Sequence, residues 1–326
     1  MGIGIGFQAW ATNVDWHHLM EAGRSIDASG FETLWSNDHF LPALGPEAVV
    51  GPVDGPVFEG WSTLSGWAAA TSRVRLGCLV SGVGYRNPSL LVRMATALDH
   101  ASGGRAALGI GAGWHEREHR MFGFAYPGLG ERLDRLEEAA AICRGLLDGR
   151  RVTIAGTWFE IHDAVNDPPA VQERLPLVIG GSGKKRTLKI VARYADWWNA
   201  DGDDPAAFAA LNAILDEHCA AVGRDPTQIR RTIGQRPPLI RESVKEARRD
   251  LAEILVAHGM PAHVAHDVAE ADPYAAPRAA VFDRLAAFAE AGASLVVFDW
   301  PAPFDPATQE ALGAMAQSFA SDRPPS

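Results

Sequence analysis

Cysteine is scarce in this chain. Cys78, Cys143 and Cys219 stand far apart in apolar surroundings, an odd number with no C-x-x-C spacing. That excludes a disulfide framework and fits a reducing cytosol. Long apolar runs are missing too. None reaches the ~18 residues needed to cross a bilayer, and the N-terminus has neither a basic region nor a long apolar one, so a soluble cytoplasmic protein is expected, with no membrane partner. Basic residues are outnumbered, 30 Lys and Arg against 40 Asp and Glu for a net charge of −10, and cluster only in short pairs such as Lys184-Lys185 and Arg230-Arg231. Tracking a nucleic-acid backbone requires clustered cations, so no nucleic acid is expected as a partner; a single phosphate on a small ligand is not excluded.

What is present is a rhythm. Short apolar runs at residues 3–8, 31–36, 74–80, 105–110, 177–180, 196–199, 229–234 and 294–299 alternate with segments of 3.6-residue apolar spacing at 16–28, 88–101, 131–147, 186–194, 205–222 and 279–291. Strands alternating with helices read as parallel β/α units. Eight such units without a domain-sized break predict a closed (β/α)8 TIM barrel forming one domain over residues 1–326, with a doubly wound open sheet as the competing architecture. Three stretches break the rhythm. Residues 40–59, rich in Pro and Gly, predict a long loop after strand 2. Residues 151–162 predict a β-hairpin before strand 5, and 243–269 add extra helix between strands 7 and 8. From Ser321 onward a frayed end is expected.

In such barrels chemistry sits at the C-terminal strand ends. Those ends here carry Gln8 and Trp10, Asp38-His39, residues 79–81 with Tyr85, residues 111–116, residues 180–183, Asn199, Gln235 and Asp299-Trp300. Aromatics with few charges suit a flat, mostly apolar ring. Gly180-Gly181-Ser182-Gly183-Lys184-Lys185-Arg186 follows a buried strand and opens a helix, where glycine amides and a helix N-terminus cradle a phosphate; an ordinary strand-to-helix turn is the competing reading. Gly109-Ile110-Gly111-Ala112-Gly113-Trp114 is not a dinucleotide fingerprint, because its third glycine comes too early. It shows only that backbone approaches something flat or bulky, or turns tightly. His115-Glu116-Arg117-Glu118-His119 matches the zinc pattern H-E-x-x-H, yet no third ligand follows, so a solvated helix start and no metal are expected. His39, at a strand end beside Asp38, is a candidate proton donor or acceptor, or a ring contact. Trp35, Trp61, Trp67, Trp197 and Trp198 read as packing.

Several ordered strings carry a family likeness: residues 73–77, Tyr85-Arg86-Asn87-Pro88, Leu98-Asp99, Ser102-Gly103-Gly104-Arg105 and residues 108–114 in the first half. Glu131-Arg132, the hairpin, Pro168-Pro169 with Gln172, residues 180–186, Ala192-Arg193-Tyr194-Ala195-Asp196 and residues 299–303 with Asp305 continue it. The chain resembles the luciferase-like monooxygenase superfamily, and within it the actinobacterial coenzyme F420-dependent oxidoreductases most of all. The resemblance implies a TIM barrel with a deazaflavin across its mouth and the cofactor phosphate at Gly181, Ser182 and Gly183. It also implies a cis peptide at Leu79–Val80 under the ring and a catalytic Asp38-His39 pair. Gly111, Gly113 and Gly180 complete the expected cofactor site, and Trp10, Tyr85, Trp114 and Trp300 the expected substrate pocket. The expected activity is hydride transfer between F420 and a small organic molecule, by a homodimer. FMN-dependent monooxygenation and non-catalytic flavin binding are the alternatives. Some deazaflavin dehydrogenases of the superfamily carry glutamate where this chain has Trp114. That departure counts against sugar-phosphate oxidation and favours reduction of an activated C=C or C=N bond.

Overall fold

A computed structural model of the chain describes residues 2–42 and 55–321. Eight parallel strands run in chain order Gly4–Ala9, Thr33–Ser36, Arg75–Cys78, Ala106–Gly111, Leu177–Gly180, Trp197–Asp201, Arg230–Gln235 and Leu295–Trp300. Each pairs with its sequence neighbours, and the last returns to the first with Gly4 opposite Leu295 and Trp300 opposite Ala9, which closes the barrel. The closed TIM barrel replaces the open-sheet alternative.

Glycines at a few positions let large side chains pack. Trp35 and Trp197 meet edge-on inside the barrel at 6.1 Å, and Trp35 lies over Gly77, where a Cβ would come within 2.5 Å of its ring. With Ala107, Val178, Leu295 and Val297 they form the buried interior cluster. Below them the Arg230 and Arg75 guanidiniums lie 4.6 and 5.6 Å from the Trp197 ring. The larger apolar core lies between strands and helices, with Trp61, Trp67 and Trp198 buried there. Helix signals match the caps: Asn87 caps Pro88–Ser102, whose second residue donates to its side chain, and Gly103 ends it at φ +69°.

The hairpin is present as Val152–Ala155 paired with Glu160–Ala164. The extra helix between the last two barrel strands is two helices, Val244–Ala257 and Ala262–Ala271, joined to a small two-stranded sheet of Leu239–Arg241 and Ala275–Pro277. Two helices, Gly60–Ala70 and Pro306–Ser321, were absent from the predicted set. The central part of the predicted loop, residues 43–54, and the chain end from 322 lie outside the described residues. Among the described residues no helix is long and apolar enough to cross a membrane.

Candidate active site

A cavity of about 610 Å³ opens at the C-terminal ends of the strands. Its floor is Leu79–Val80, and the peptide between them is cis. Val80 rests on glycine: a Cβ at Gly109, Gly111 or Gly180 would come within 3.1, 2.6 and 3.0 Å of its methyl groups. The glycines of the fourth and fifth strands thus make room first for this side chain, which then presents an apolar shelf. From the first strand, the Gln8 side chain donates to the Leu79 carbonyl.

His39 follows the second strand and reaches the cavity wall. Its Nδ1 lies 3.1 Å from Glu118 Oε1. Glu118 is fully buried and also accepts from the backbone N–H groups of Phe40 at 2.6 Å and Leu41 at 3.1 Å, and from the Tyr85 hydroxyl. Burial pushes this carboxyl upward, but the bonds from His39, Tyr85 and Phe40 outweigh it and hold the pKa at about 2. A carboxylate accepting at Nδ1 places a proton on that nitrogen and leaves Nε2 as the exchanging atom. Trp114, 55% exposed, meets the imidazole edge-on at 5.4 Å and stacks on His115.

Two expectations change here. The partner of His39 is Glu118; Asp38 points elsewhere, pairing with Arg86 at 2.5 Å while Arg86 reaches Glu59 at 2.6 Å. Burial raises the Asp38 pKa against the pull of Arg86. The H-E-x-x-H string is no solvated helix start either: His115, Glu118 and His119 are buried, because the short helix Glu116–Met121 turns them onto His39 and Tyr85. Among the described residues no group of three or more His, Cys, Asp or Glu is placed to hold a metal ion.

On the other side of Trp10, its indole donates to Asp299 Oδ1 at 3.4 Å. Burial and the nearby Asp201 carboxylate push the Asp299 pKa up to about 7. Asp201 is exposed at its strand end, and the loss of part of its hydration pushes its carboxyl upward as well. Both acids line the main cavity and a side chamber of about 180 Å³ that it shares with Asn199, Gln235 and Arg236. Asn37 also lines the main cavity; its side-chain amide is buried and neither its nitrogen nor its oxygen has a partner.

The structure brings His39, Asp38, Leu79, Val80, Gly111, Gly113, Gly180, Gly181, Gly183, Trp10, Tyr85 and Trp114 to this one cavity. Three details of the expected site differ. Trp300 is 2% exposed and packs on Phe7 at 4.6 Å, a core position rather than a pocket wall, because its strand alternation turns it outward to the helices. Ser182 does not line the cavity; its hydroxyl lies 3.3 Å from the Asp201 amide and 3.4 Å from its carbonyl. The Gly181 amide donates to Asn199 within the barrel, so it is committed, while Gly183 stands at the wall beside Thr187. Sequence reading missed Glu118, Arg86, Asp201 and Asn37 as site residues, and placed Asp299 at a strand end without giving it a role. For Asp201 and Asp299 the signal was there, as carboxylates at strand ends.

Residues 4–300 match the family described as luciferase-like monooxygenase. An F420-dependent glucose-6-phosphate dehydrogenase of Kineococcus radiotolerans is 32% identical over 234 residues, covering 70% of this chain and 66% of its own length; the chain thus spans just under two thirds of that relative. An F420-dependent secondary alcohol dehydrogenase, solved in complex with an F420-acetone adduct, superposes with a TM-score of 0.77 at 17% identity, covering 98% of this chain and 99% of its own. A riboflavin lyase solved with modified FMN and riboflavin gives 0.77 at 14%, covering 99% and 92%. At such identities the two structures speak for the fold alone.

Proposed function

The chain belongs to the luciferase-like monooxygenase family, and on that premise we propose that it is an F420-dependent oxidoreductase transferring a hydride between the deazaflavin and a small organic substrate. The observation that carries this reading is the apolar shelf of Leu79 and Val80 beneath a cavity of about 610 Å³ whose wall holds one carboxylate-anchored histidine. That volume suits a flat cofactor ring with a small substrate above it. The residues present fit the group in three ways. The glycine floor keeps Val80 low, a cradle that side chains at 111 or 180 would fill. Gly183 at the head of helix Thr187–Tyr194 suits a phosphate. The orphaned amide of Asn37 offers a donor and an acceptor to a polar edge.

Bound F420 supplies a hydride donor or acceptor at its C5 carbon. This chain's residues do the rest. Val80 and Leu79 would support the ring, and Trp10, Trp114 and Tyr85 would exclude water from the space beside it. His39 would exchange the accompanying proton, through Nε2, with the substrate atom next to the carbon that takes part in hydride transfer. Glu118, accepting at Nδ1, holds the imidazole in one orientation. Asp38 acts one step back, anchoring Arg86, which in turn holds Glu59 at the start of helix Gly60–Ala70. The reaction favoured is reduction of an activated C=C or C=N bond. The protein is further taken to act as a cytoplasmic homodimer, a single domain over residues 1–326 with no nucleic-acid partner.

Fluorescence and absorbance titration of the purified chain with F420 and, separately, FMN tests the cofactor, followed by turnover of a panel of enones and imines. Tight F420 binding with turnover is expected. FMN binding in place of F420 would turn the reading to monooxygenation, and F420 binding without turnover of any substrate to a flavin carrier.

A further inference from the structure

The last residue of the H-E-x-x-H string, His119, is buried and so far has no role. Its Nδ1 lies 2.9 Å from the His115 carbonyl and 3.2 Å from the Tyr85 hydroxyl. A carbonyl only accepts, so this nitrogen carries a proton and offers Tyr85 a donor. The Tyr85 hydroxyl in turn donates to Glu118 Oε1. Burial and that bond push the hydroxyl well above the ordinary phenol range, so it keeps its proton. From the other side His39 Nδ1 lies 3.1 Å from the same oxygen. The hydrogen bonds therefore have one direction: His119 donates to Tyr85, and Tyr85 and His39 both donate to Glu118.

Glycines make room for this arrangement. A Cβ at Gly82 would come within 2.9 Å of the Tyr85 ring, and one at Gly113, where φ is +76°, within 3.3 Å of His119 Nε2. Tyr85 thus gives its ring to the cavity wall and its hydroxyl to the buried carboxylate. Glu118 Oε2 is taken by the Phe40 and Leu41 amides at 2.6 and 3.1 Å, which leaves Tyr85 and His39 to share Oε1. An oxygen whose charge is partly satisfied by one donor attracts the next less strongly. His115, its ring centroid 5.9 Å away, and Asp299 also act on the His39 imidazole, and Asp38 and Arg86 act on Tyr85 with opposite signs.

We propose that Tyr85, oriented by His119, is a positioning residue that acts through Glu118 to set how readily His39 gives up its proton. The proposal rests on the hydride-transfer reading for its use, while the hydrogen bonds that carry it need no cofactor.

NMR of the histidine-labelled full chain without cofactor tests it between about pH 5 and pH 9, the His39 signal being the one lost in His39→Gln. In wild type the neutral forms of His39 and His119 should both carry the proton on Nδ1. Tyr85→Phe keeps the ring and removes only the hydroxyl. With native circular dichroism as the check on folding, the His39 transition should move up by about 0.5–1 pH unit in that variant. In a Glu118→Gln background the same substitution should move nothing, because the effect passes through the carboxylate. In the F420-loaded enzyme the pH profile of kcat should shift in the same direction, with KM little changed. A proton on Nε2 of either neutral histidine, an unmoved His39 transition in Tyr85→Phe, or an equal shift with and without the Glu118 carboxylate would overturn the proposal. A shifted transition in a chain that neither binds F420 nor turns over substrate would sink the hydride-transfer reading and leave the positioning role of Tyr85 in place.

Discussion

Replacing Glu118 with Gln isolates the group that anchors His39 at the cavity wall. The buried carboxylate accepts from His39 Nδ1, from the Phe40 and Leu41 amides and from the Tyr85 hydroxyl. Gln keeps one acceptor oxygen but brings an NH2 group among four donors, leaving one or two of them unpaired at about 1–3 kcal/mol each. The pKa route gives a similar size. A carboxyl held at about 2 in the folded chain against an ordinary value of 4.5 contributes about 3 kcal/mol at pH 7. Because the folded value is the lower one, the contribution is complete above 4.5 and declines as pH falls toward 2. By pH 3 about 2 kcal/mol of it is lost. Urea unfolding of wild type and Glu118→Gln at pH 7 and pH 3 measures both quantities. The variant should be about 2–4 kcal/mol less stable at pH 7, and the gap should narrow by roughly 2 kcal/mol at pH 3. A gap below about 1 kcal/mol at pH 7, or one that is the same at both pH values, refutes the assignment of Glu118 as an ionised anchor.

His39→Ala should lower kcat by about 10²–10⁴-fold while F420 affinity changes little; parallel losses in fluorescence titration and turnover would mean that His39 only packs against the ring. At Gly183, a Cβ would meet Thr187 Oγ1 at 2.6 Å, so Gly183→Val should weaken F420 binding by about tenfold or more in a folded protein, from one or two lost hydrogen bonds. Unaltered affinity would place the phosphate elsewhere. Trp300→Ala should destabilise the barrel by about 3–5 kcal/mol in urea unfolding and leave the F420 affinity of the folded fraction intact; the reverse pattern would return Trp300 to the pocket.

The barrel was legible because its signals are local. Short apolar runs between amphipathic segments gave the eight strands to within a few residues, and Asn87, Pro88 and Gly103 mark one helix by capping chemistry alone. Helix Gly60–Ala70 escaped because Gly60 and Gly66 weaken its propensity, and the reason for those glycines is tertiary. A Cβ at Gly66 would come within 2.9 Å of Trp16, and one at Gly60 within 2.1 Å of the Asn37 carbonyl. Trp300 shows the same limit in a strand. Its place after Asp299 marks the barrel mouth, but alternation sends neighbours to opposite faces, so only one of the pair can enter the cavity.

Histidine 115 to histidine 119 shows why a motif can be seen and misread. The spacing puts two imidazoles a turn apart, and with no third ligand the string reads as surface helix. What the spacing omits is which face meets the barrel. The helix is only six residues, Glu116–Met121, and Phe40, Tyr85 and Phe124 pack around it, with the Phe40 ring 5.1 Å from Tyr85 and 5.6 Å from Phe124. That aromatic packing turns Glu118 inward, toward two backbone amides and an imidazole from the segment after the second strand, 77 to 79 positions earlier. Glu116, two residues before, faces outward and pairs with Arg120 at 2.6 Å on the surface. The metal-site reading gives weight to the second residue of the string, Glu116, whereas in the fold it is the fourth, Glu118, that reaches His39. Asp38 was favoured as the partner of His39 by adjacency and by the family resemblance. Consecutive residues leaving a strand point apart, so a histidine at the end of a barrel strand is better matched to a carboxylate arriving from another β/α unit.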